Sequence, residues 1–233
     1  MKKHIAILSI LVVLGIPSVA QSGNAGELTI EELYLQNSEI RLIREQAVTL
    51  DRDMKIIALE NIEAMLFDGR LNTESSAQEA HYILDYLAGE GLTRVVRQNN
   101  RLVNYYPEVR RQAISLLGRL GGEDAKNSIV LILETEIEPM VLAEAAYALG
   151  TIGINENNEV SKRLAQAVMS QDAVGPDNNF AFASLLAYEK IAKANGGITD
   201  PLALEAIIKI AQGNYIRSVR LKAFEVLEQL RSY

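Results

Sequence analysis

Apolar residues recur at intervals of three and four in several separate stretches of the chain, which is the spacing of one face of an α-helix. The stretch 107–121 places Val109, Ala113 and Leu117 on such a face. The stretch 139–153 repeats it 32 positions later, with Pro, Val, Ala, Leu and both Gly in register. A repeat of this length predicts stacked helical units rather than one globule.

The same apolar face returns before and after these two stretches. Its further copies are Met54, Ala58, Ile62 and Met65; then Phe180, Ser184, Ala187 and Ile191; then Val219, Ala223, Val226 and Leu230. Further helices are predicted between these faces, at 74–88, 92–104, 124–135, 158–170 and 200–212, and the last face belongs to a helix at 216–231. We therefore predict an all-α mature domain of helix pairs.

Residues that are typical of helix ends agree with these boundaries. Proline suits the first position of a helix, aspartate suits the N-cap, and glycine suits the end. They stand at Pro107, Pro139, Pro201, Asp200, Gly121, Gly153 and Gly196.

The motif Pro-x-Val-Arg-x-x-Ala-x-x-x-Leu-Gly-x-Leu-Gly at 107–121 resembles the HEAT-like repeat, including the short bacterial form associated with phycobilisome lyases. The resemblance covers 105–233 well. It is weaker over 51–104, because Lys55 stands where arginine is usual and no Gly follows Met65. The resemblance implies a right-handed α-solenoid of stacked helix pairs, armadillo-like, with a concave surface. It assigns no function.

The first twenty residues are typical of a secretory signal peptide. Lys2 and Lys3 precede an uncharged apolar run, and Ser18-Val19-Ala20 supplies a small-residue cleavage site. We expect cleavage after Ala20 and a periplasmic mature chain. The apolar run is shorter than the ~20 residues that span a bilayer as a helix, so a membrane-tethered adaptor with an uncleaved N-terminus is the weaker alternative.

Residues 21–50 are predicted to form an N-terminal segment with a capping helix, ahead of a repeat domain at 51–233. Thr29 and Glu32 have the spacing of a capping box. The helix that follows is expected to be short and to cover the first repeat with apolar residues. Those residues are Leu28, Ile30, Leu33 and Leu35.

Charge and composition exclude several kinds of function. The whole chain has a formal charge of −7, and the part after residue 20 keeps 21 basic against 30 acidic residues, a charge of −9. General binding to nucleic acid is therefore disfavoured. Cysteine is absent and His81 is the one histidine after residue 20. We therefore expect no histidine-rich or thiolate metal site and no cofactor, and a structural or surface role for His81.

Acidic clusters leave one enzymatic alternative open. They lie at Glu31-Glu32, Glu134 to Glu138 and Asp172 to Asp177. Paired carboxylates with a pocket around them could hydrolyse an envelope or cell-wall substrate. The sequence favours a non-catalytic scaffold that binds an envelope protein, because solvated helix faces and loops account for these acids.

Two surfaces are predicted to bind a partner. Arg94, Arg97 and Arg101 would share one face of the 92–104 helix, with Tyr105 and Tyr106 beside them. We expect this face to dock an acidic protein segment or an anionic envelope polymer. The alternative is that the arginines are solvated, while Arg110 and Arg220, which are equivalent repeat positions, pair with acids of neighbouring helices.

The second surface is the C-terminal helix at 216–231. Ile216, Val219, Ala223, Val226, Leu227 and Leu230 can face the preceding repeat. Leu221 and Phe224 then point elsewhere. We expect this surface either to fold inward or to meet another chain, which makes self-association through Phe224 a prediction.

Overall fold

The computed structural model describes residues 29–233, and the segments 1–20 and 21–28 lie outside the described residues. Besides a short 3-10 helix at Glu156–Asn158, ten α-helices and one two-stranded hairpin make up the regular structure of the described part. They are α1 (Ile30–Val48), α2 (Arg52–Phe67), α3 (Glu74–Ala88), β1 (Arg97–Gln98), β2 (Arg101–Leu102), α4 (Pro107–Leu120), α5 (Gly122–Thr135), α6 (Pro139–Ile152), α7 (Glu159–Val174), α8 (Asn178–Asn195), α9 (Pro201–Gln212) and α10 (Arg217–Leu230). The all-α prediction is confirmed.

The helices form two layers. The first layer contains α2, α4, α6, α8 and α10, and the second contains α1, α3, α5, α7 and α9. Each helix contacts the next member of its own layer, and all neighbours along the chain except α6 and α7 also pack closely on each other. The apolar faces found in the sequence lie between the layers, where one continuous cluster of buried residues runs from Ile40 to Val226.

The predicted start signals act as expected. Asp200 is the N-cap of α9, and Pro107, Pro139 and Pro201 each occupy the first helical turn. At the start of α8, the Asp177 carboxylate accepts a hydrogen bond from the Phe180 N–H at 2.8 Å. Such caps satisfy backbone donors that have no partner within a helix.

Small residues let the first-layer helices approach closely. A Cβ atom placed on Gly118 would lie 2.7 Å from the Cβ of Ala148, and one on Gly150 would lie 2.6 Å from the Cα of Ala187. Both distances are shorter than van der Waals contact permits. Glycine at this repeat position therefore sets the spacing between α4, α6 and α8.

The N-terminal helix differs from the prediction. The capping box of Thr29 and Glu32 is present, but α1 runs for 19 residues and is one member of the second layer. Ile30 and Leu35 are exposed, Leu28 lies outside the described residues, and nothing is described of the Leu33 side chain. The apolar contact with the rest of the molecule is made further along, because the buried apolar residues are Ile40, Ile43 and Ala47.

The prediction of a helix at 92–104 is wrong. This segment folds into the antiparallel β1–β2 hairpin between α3 and α4. It interrupts the otherwise regular succession of helices within residues 29–233, and it carries the arginines that the sequence singled out.

Candidate interaction surface: an anchored hairpin

The hairpin forms because of a two-residue turn. Arg97 pairs with Leu102 and Gln98 with Arg101, so Asn99 and Asn100 close the loop. Their φ angles are 49° and 62°. Two successive positive φ angles are what a tight hairpin turn of the type I′ kind requires, and asparagine tolerates them better than most residues. The Asn-Asn pair between valine-containing segments was the available sequence signal for this hairpin.

Two glycines shape the base of the hairpin. The Gly89 carbonyl accepts hydrogen bonds from the N–H groups of Leu92, Thr93 and Arg94, each at 3.1 Å. Gly91 has a φ of 74°, and a Cβ atom there would lie 2.6 Å from the Asn104 carbonyl oxygen. A side chain at Gly91 would therefore be strained and would also collide with the returning strand.

A buried carboxylate ties this base to the helices. Glu90 is 1% exposed. Its two oxygens accept hydrogen bonds from Lys55 Nζ and Asn104 Nδ2, both at 2.8 Å. Lys55 also donates to the Ala47 carbonyl at 2.8 Å, and Asn104 Oδ1 accepts from the Val96 N–H at 2.9 Å. One hydrogen-bonded chain thus connects α1, α2 and both arms of the hairpin.

A second buried ion pair lies beside the first. Arg110 of α4 donates to both carboxylate oxygens of Glu136, at 2.7 and 3.1 Å, and to the Glu90 carbonyl oxygen at 3.1 Å. Glu136 Oε1 also accepts the N–H groups of Ile137 and Glu138. Both side chains of the pair are fully buried. Buried charges are tolerated only with such complete pairing, so the hairpin base is held in one geometry.

The three predicted arginines do not share a face. Arg94 lies in the hairpin base, where it pairs with Asp85 at 2.9 Å and stacks on the Tyr86 ring at 4.8 Å from its centroid. Arg97 and Arg101 are exposed, and their strand positions place them on opposite faces of the hairpin. Within residues 29–233, neither of these two arginines has an acidic partner.

Both tyrosines after the hairpin make internal contacts. The Tyr105 ring lies 4.7 Å from the Arg110 guanidinium, and its hydroxyl donates to Glu138 at 2.6 Å. This hydrogen bond to Glu138, together with burial, raises the pKa of Tyr105. Tyr106 donates to the carbonyls of Leu50 and Val103. The tyrosines therefore help to position the hairpin and α4, and the contact area that they could add for a partner stays a prediction.

Apart from Glu31, which is exposed, the acids named for the enzymatic alternative have structural partners. Glu32 closes the capping box of α1, Glu134 pairs with Arg163, Glu136 with Arg110, Glu138 with Tyr105, Asp172 with Lys209 and Tyr215, and Asp177 caps α8. A cleft of about 410 Å³ between α5 and α7 contains Glu134 and Glu136. Both carboxylates are ion-paired, so this cleft holds no two free acids among the described residues.

His81 is half-buried on α3, and its Nε2 lies 3.2 Å from Ser128 Oγ on α5. This contact links two neighbouring helices of the second layer. Across residues 29–233, no group of three or more His, Cys, Asp or Glu side chains is arranged to hold a metal ion.

The C-terminal helix agrees with the prediction in most positions. Val219, Ala223 and Val226 are buried, whereas Leu221 and Phe224 are 50% and 51% exposed. Two expectations here were wrong. Ile216 is exposed rather than packed inward, and Arg220 is exposed without an ion pair in the described part of the chain, unlike its counterpart Arg110.

None of the helices from α1 to α10 combines the length and the apolar character that crossing a membrane demands. Comparison of the chain with protein-family models and with curated proteins gave no match.

Proposed function

We propose that this protein is a non-catalytic interaction scaffold whose hairpin binds an acidic partner in the cell envelope. The observation that carries the proposal is the combination of an exposed tip and a buried base. Arg97 and Arg101 project without acidic partners in residues 29–233, while Lys55, Glu90 and Asn104 hold the base by buried hydrogen bonds.

A fixed base matters for binding because ordering a loop costs affinity. A hairpin already held in its bound shape avoids that cost. Arginine on such a hairpin can form paired hydrogen bonds with a carboxylate or phosphate group. The excess of acids elsewhere in the chain repels acidic partners at long range, so the two arginines act only on close approach.

The wider setting is also part of the proposal. The repeat motif at 107–121 and the two layers of helices support a right-handed HEAT-like α-solenoid, an architecture that presents long surfaces to other proteins. Residues 1–20 support export to the periplasm with cleavage after Ala20. Mass spectrometry of the mature chain tests export: a start at Gln21 is expected, and a start at Met1 contradicts it.

The binding proposal is tested by reversing charge at the hairpin tip alone. Arg94 stays unchanged, because its contacts with Asp85 and Tyr86 are structural. In the double variant Arg97→Glu/Arg101→Glu, capture of a cross-linked partner from the native envelope should fall at least tenfold, to roughly the extent that two charge-assisted contacts contribute. Circular dichroism and melting should stay as in the wild type, since exposed charges contribute little to stability.

A matched control carries the same change in net charge elsewhere. Lys162→Glu/Lys193→Glu alters two exposed lysines that have no ion pair within residues 29–233. Capture by this control should equal that of the wild type. If the hairpin variant captures as much partner as the wild type, the interface lies on another face. If both variants lose capture equally, general electrostatic attraction accounts for the binding.

A further inference from the structure

One face of α10 has the residue spacing of a helix-pairing seam. Arg217, Leu221, Phe224, Glu228 and Arg231 follow one another at intervals of four, three, four and three, and all five are exposed. The opposite side of the helix is buried against the rest of the molecule through Val219, Ala223 and Val226. The seam is therefore a continuous stripe with two apolar residues at its centre and charges at both ends.

We propose that this stripe binds α10 of a second copy of the chain in antiparallel orientation. A two-fold axis between positions 222 and 223 brings Leu221 of each copy against Phe224 of the other. The same axis brings Arg217 of each copy against Glu228 of the other. The centre of the interface is thus apolar and aromatic, and an ion pair flanks it on each side.

The charges at the ends of the stripe favour a second α10 as its partner and favour the antiparallel orientation. In a parallel pair, Arg217 would meet Arg217 and Glu228 would meet Glu228, so like charges would face each other twice. The antiparallel pair replaces both repulsions with attractions. One helix face that complements itself is what a two-fold interface requires. The inference does not depend on the proposed function, since the hairpin and the α10 stripe share no residue.

Cysteine cross-linking tests the orientation, because the chain contains no cysteine of its own. The variants Arg217→Cys and Glu228→Cys are oxidised separately and as a mixture. In the antiparallel pair, the two copies of position 217 lie about 16 Å apart along the helices, at 1.5 Å per residue, which is too far for a disulfide. The mixture should therefore cross-link and each variant alone should not.

The mixed pair also keeps one Arg217–Glu228 contact and the whole apolar centre, so the substitutions leave most of the interface intact. A disulfide formed by Arg217→Cys alone would overturn the antiparallel arrangement. Absence of cross-linking in the mixture would overturn pairing through this face.

Analytical ultracentrifugation over a concentration series tests the association itself. Phe224→Glu should abolish the dimer. Arg217→Glu and Glu228→Arg should each weaken it about tenfold, because two attractive pairs become repulsive. Mixing these two single variants should restore association, since every contact between positions 217 and 228 then joins one arginine to one glutamate across the interface. Lys162→Glu on α7 is the control and should associate as the wild type does.

A wild-type chain that stays monomeric throughout, or a Phe224→Glu chain that stays dimeric with unchanged circular dichroism, would overturn the proposal. Failure here is distinguishable from failure of the hairpin proposal. Arg97→Glu/Arg101→Glu should keep the dimer, and Phe224→Glu should keep the partner captured through the hairpin.

Discussion

The buried fourth residue of the first-layer helices α2, α4, α6 and α8 distinguishes two regions of the molecule. In α2 and α4 this position holds Lys55 and Arg110, and both are fully buried. In α6 and α8 the same position holds Leu142 and Ala181, which are also buried. Equivalent buried places in one repeated architecture are thus filled by charged residues in α2 and α4 and by apolar residues in α6 and α8, whereas the equivalent Arg220 of α10 is exposed.

This difference between charged and apolar residues depends on contact with the hairpin base. Burying a charge costs free energy unless each polar atom finds a partner, so charges at this position are not needed for stacking. Around Lys55 and Arg110, the hairpin base brings in the buried Glu90: its carboxylate accepts from Lys55 as well as from Asn104, and its carbonyl accepts from Arg110. Leu142 and Ala181 face no inserted segment. At this helix position, a fully buried basic residue therefore marks the place where the chain departs from regular repetition.

Removal of Arg110 should give the largest loss of stability among the changes that test this comparison. Arg110→Met leaves Glu136 as a buried charge without its partner, which should lower the free energy of unfolding by about 3–5 kcal/mol. Leu142→Met, at the equivalent position of α6, should cost less than about 1.5 kcal/mol because it changes shape and hardly changes volume. Urea denaturation of both variants measures the two values.

A second substitution separates lost pairing from lost packing. In Arg110→Met/Glu136→Gln the buried charge is gone, while the amide oxygen can still accept from the N–H groups of Ile137 and Glu138. The double variant should recover at least half of the lost stability. If it is no more stable than Arg110→Met, the charge of Glu136 is not what makes the single change costly.

The apolar half should instead be sensitive to volume. Gly150→Ala would place its Cβ atom 2.6 Å from the Cα of Ala187, so α6 and α8 would have to separate. We expect a net loss of about 1–2 kcal/mol, because overpacking outweighs the gain in helix propensity. Gly175→Ala is the control: its added Cβ has no heavy atom within 4 Å, so its stability should change by less than about 0.5 kcal/mol. Equal effects of the two changes would argue against close packing between α6 and α8.

Charged pairs in the C-terminal half lie nearer the surface and should matter least. Lys222 donates to Glu189 at 2.8 Å, and this hydrogen bond holds the pKa of Glu189 below its ordinary value of 4.5. A carboxyl with a lowered pKa stabilises the fold above its unfolded pKa, and that contribution disappears as the pH falls through the folded pKa. Glu189→Gln should therefore cost less than about 1 kcal/mol at neutral pH.

The difference between Glu189→Gln and the wild type should narrow as the pH is lowered to about 3, because the wild-type carboxyl is then becoming protonated. Urea denaturation at both pH values measures it. Glu205→Gln, at an exposed acid without an ion pair in residues 29–233, is the control and should show no such narrowing. A difference that grows with acidity would contradict the assignment of the Glu189 contact.

Most of the helical framework could be predicted from the sequence, because local signals and long-range packing agree there. Pro107 and Pro139 begin helices, and the residues equivalent to Val109 and Ala113 are buried in each repeat except for Met54, which is half-buried. The pairing of Arg110 with an acid of a neighbouring helix was also predictable from its repeat position. Arg220 has the same position but no acid within reach in the described residues, since pairing depends on what the neighbouring loop supplies.

The hairpin could not be recognised from charge spacing. Arg94, Arg97 and Arg101 are three and four residues apart, which fits a helix, but Asn99 and Asn100 adopt positive φ angles that a helix excludes. The spacing of the arginines gave only their positions along the chain. The two asparagines of the turn determine that this segment forms a hairpin. The buried partners of Glu90 come from positions 35 residues earlier and 14 residues later, a distance over which local sequence patterns carry no information.

The most direct test of the central claim is whether Asn104→Ala still captures the proposed envelope partner. This change keeps Arg97 and Arg101 but removes the hydrogen bonds from Asn104 to Glu90 and from the Val96 N–H to Asn104. Hydrogen exchange at the Val96 and Val103 amides should speed up, while the helices melt within a few degrees of the wild type, because the loss is confined to the hairpin. If the buried base holds the hairpin ready for binding, capture should fall although both arginines remain. If the hairpin amides of Asn104→Ala exchange freely and the variant still captures as much partner as the wild type, the account is contradicted.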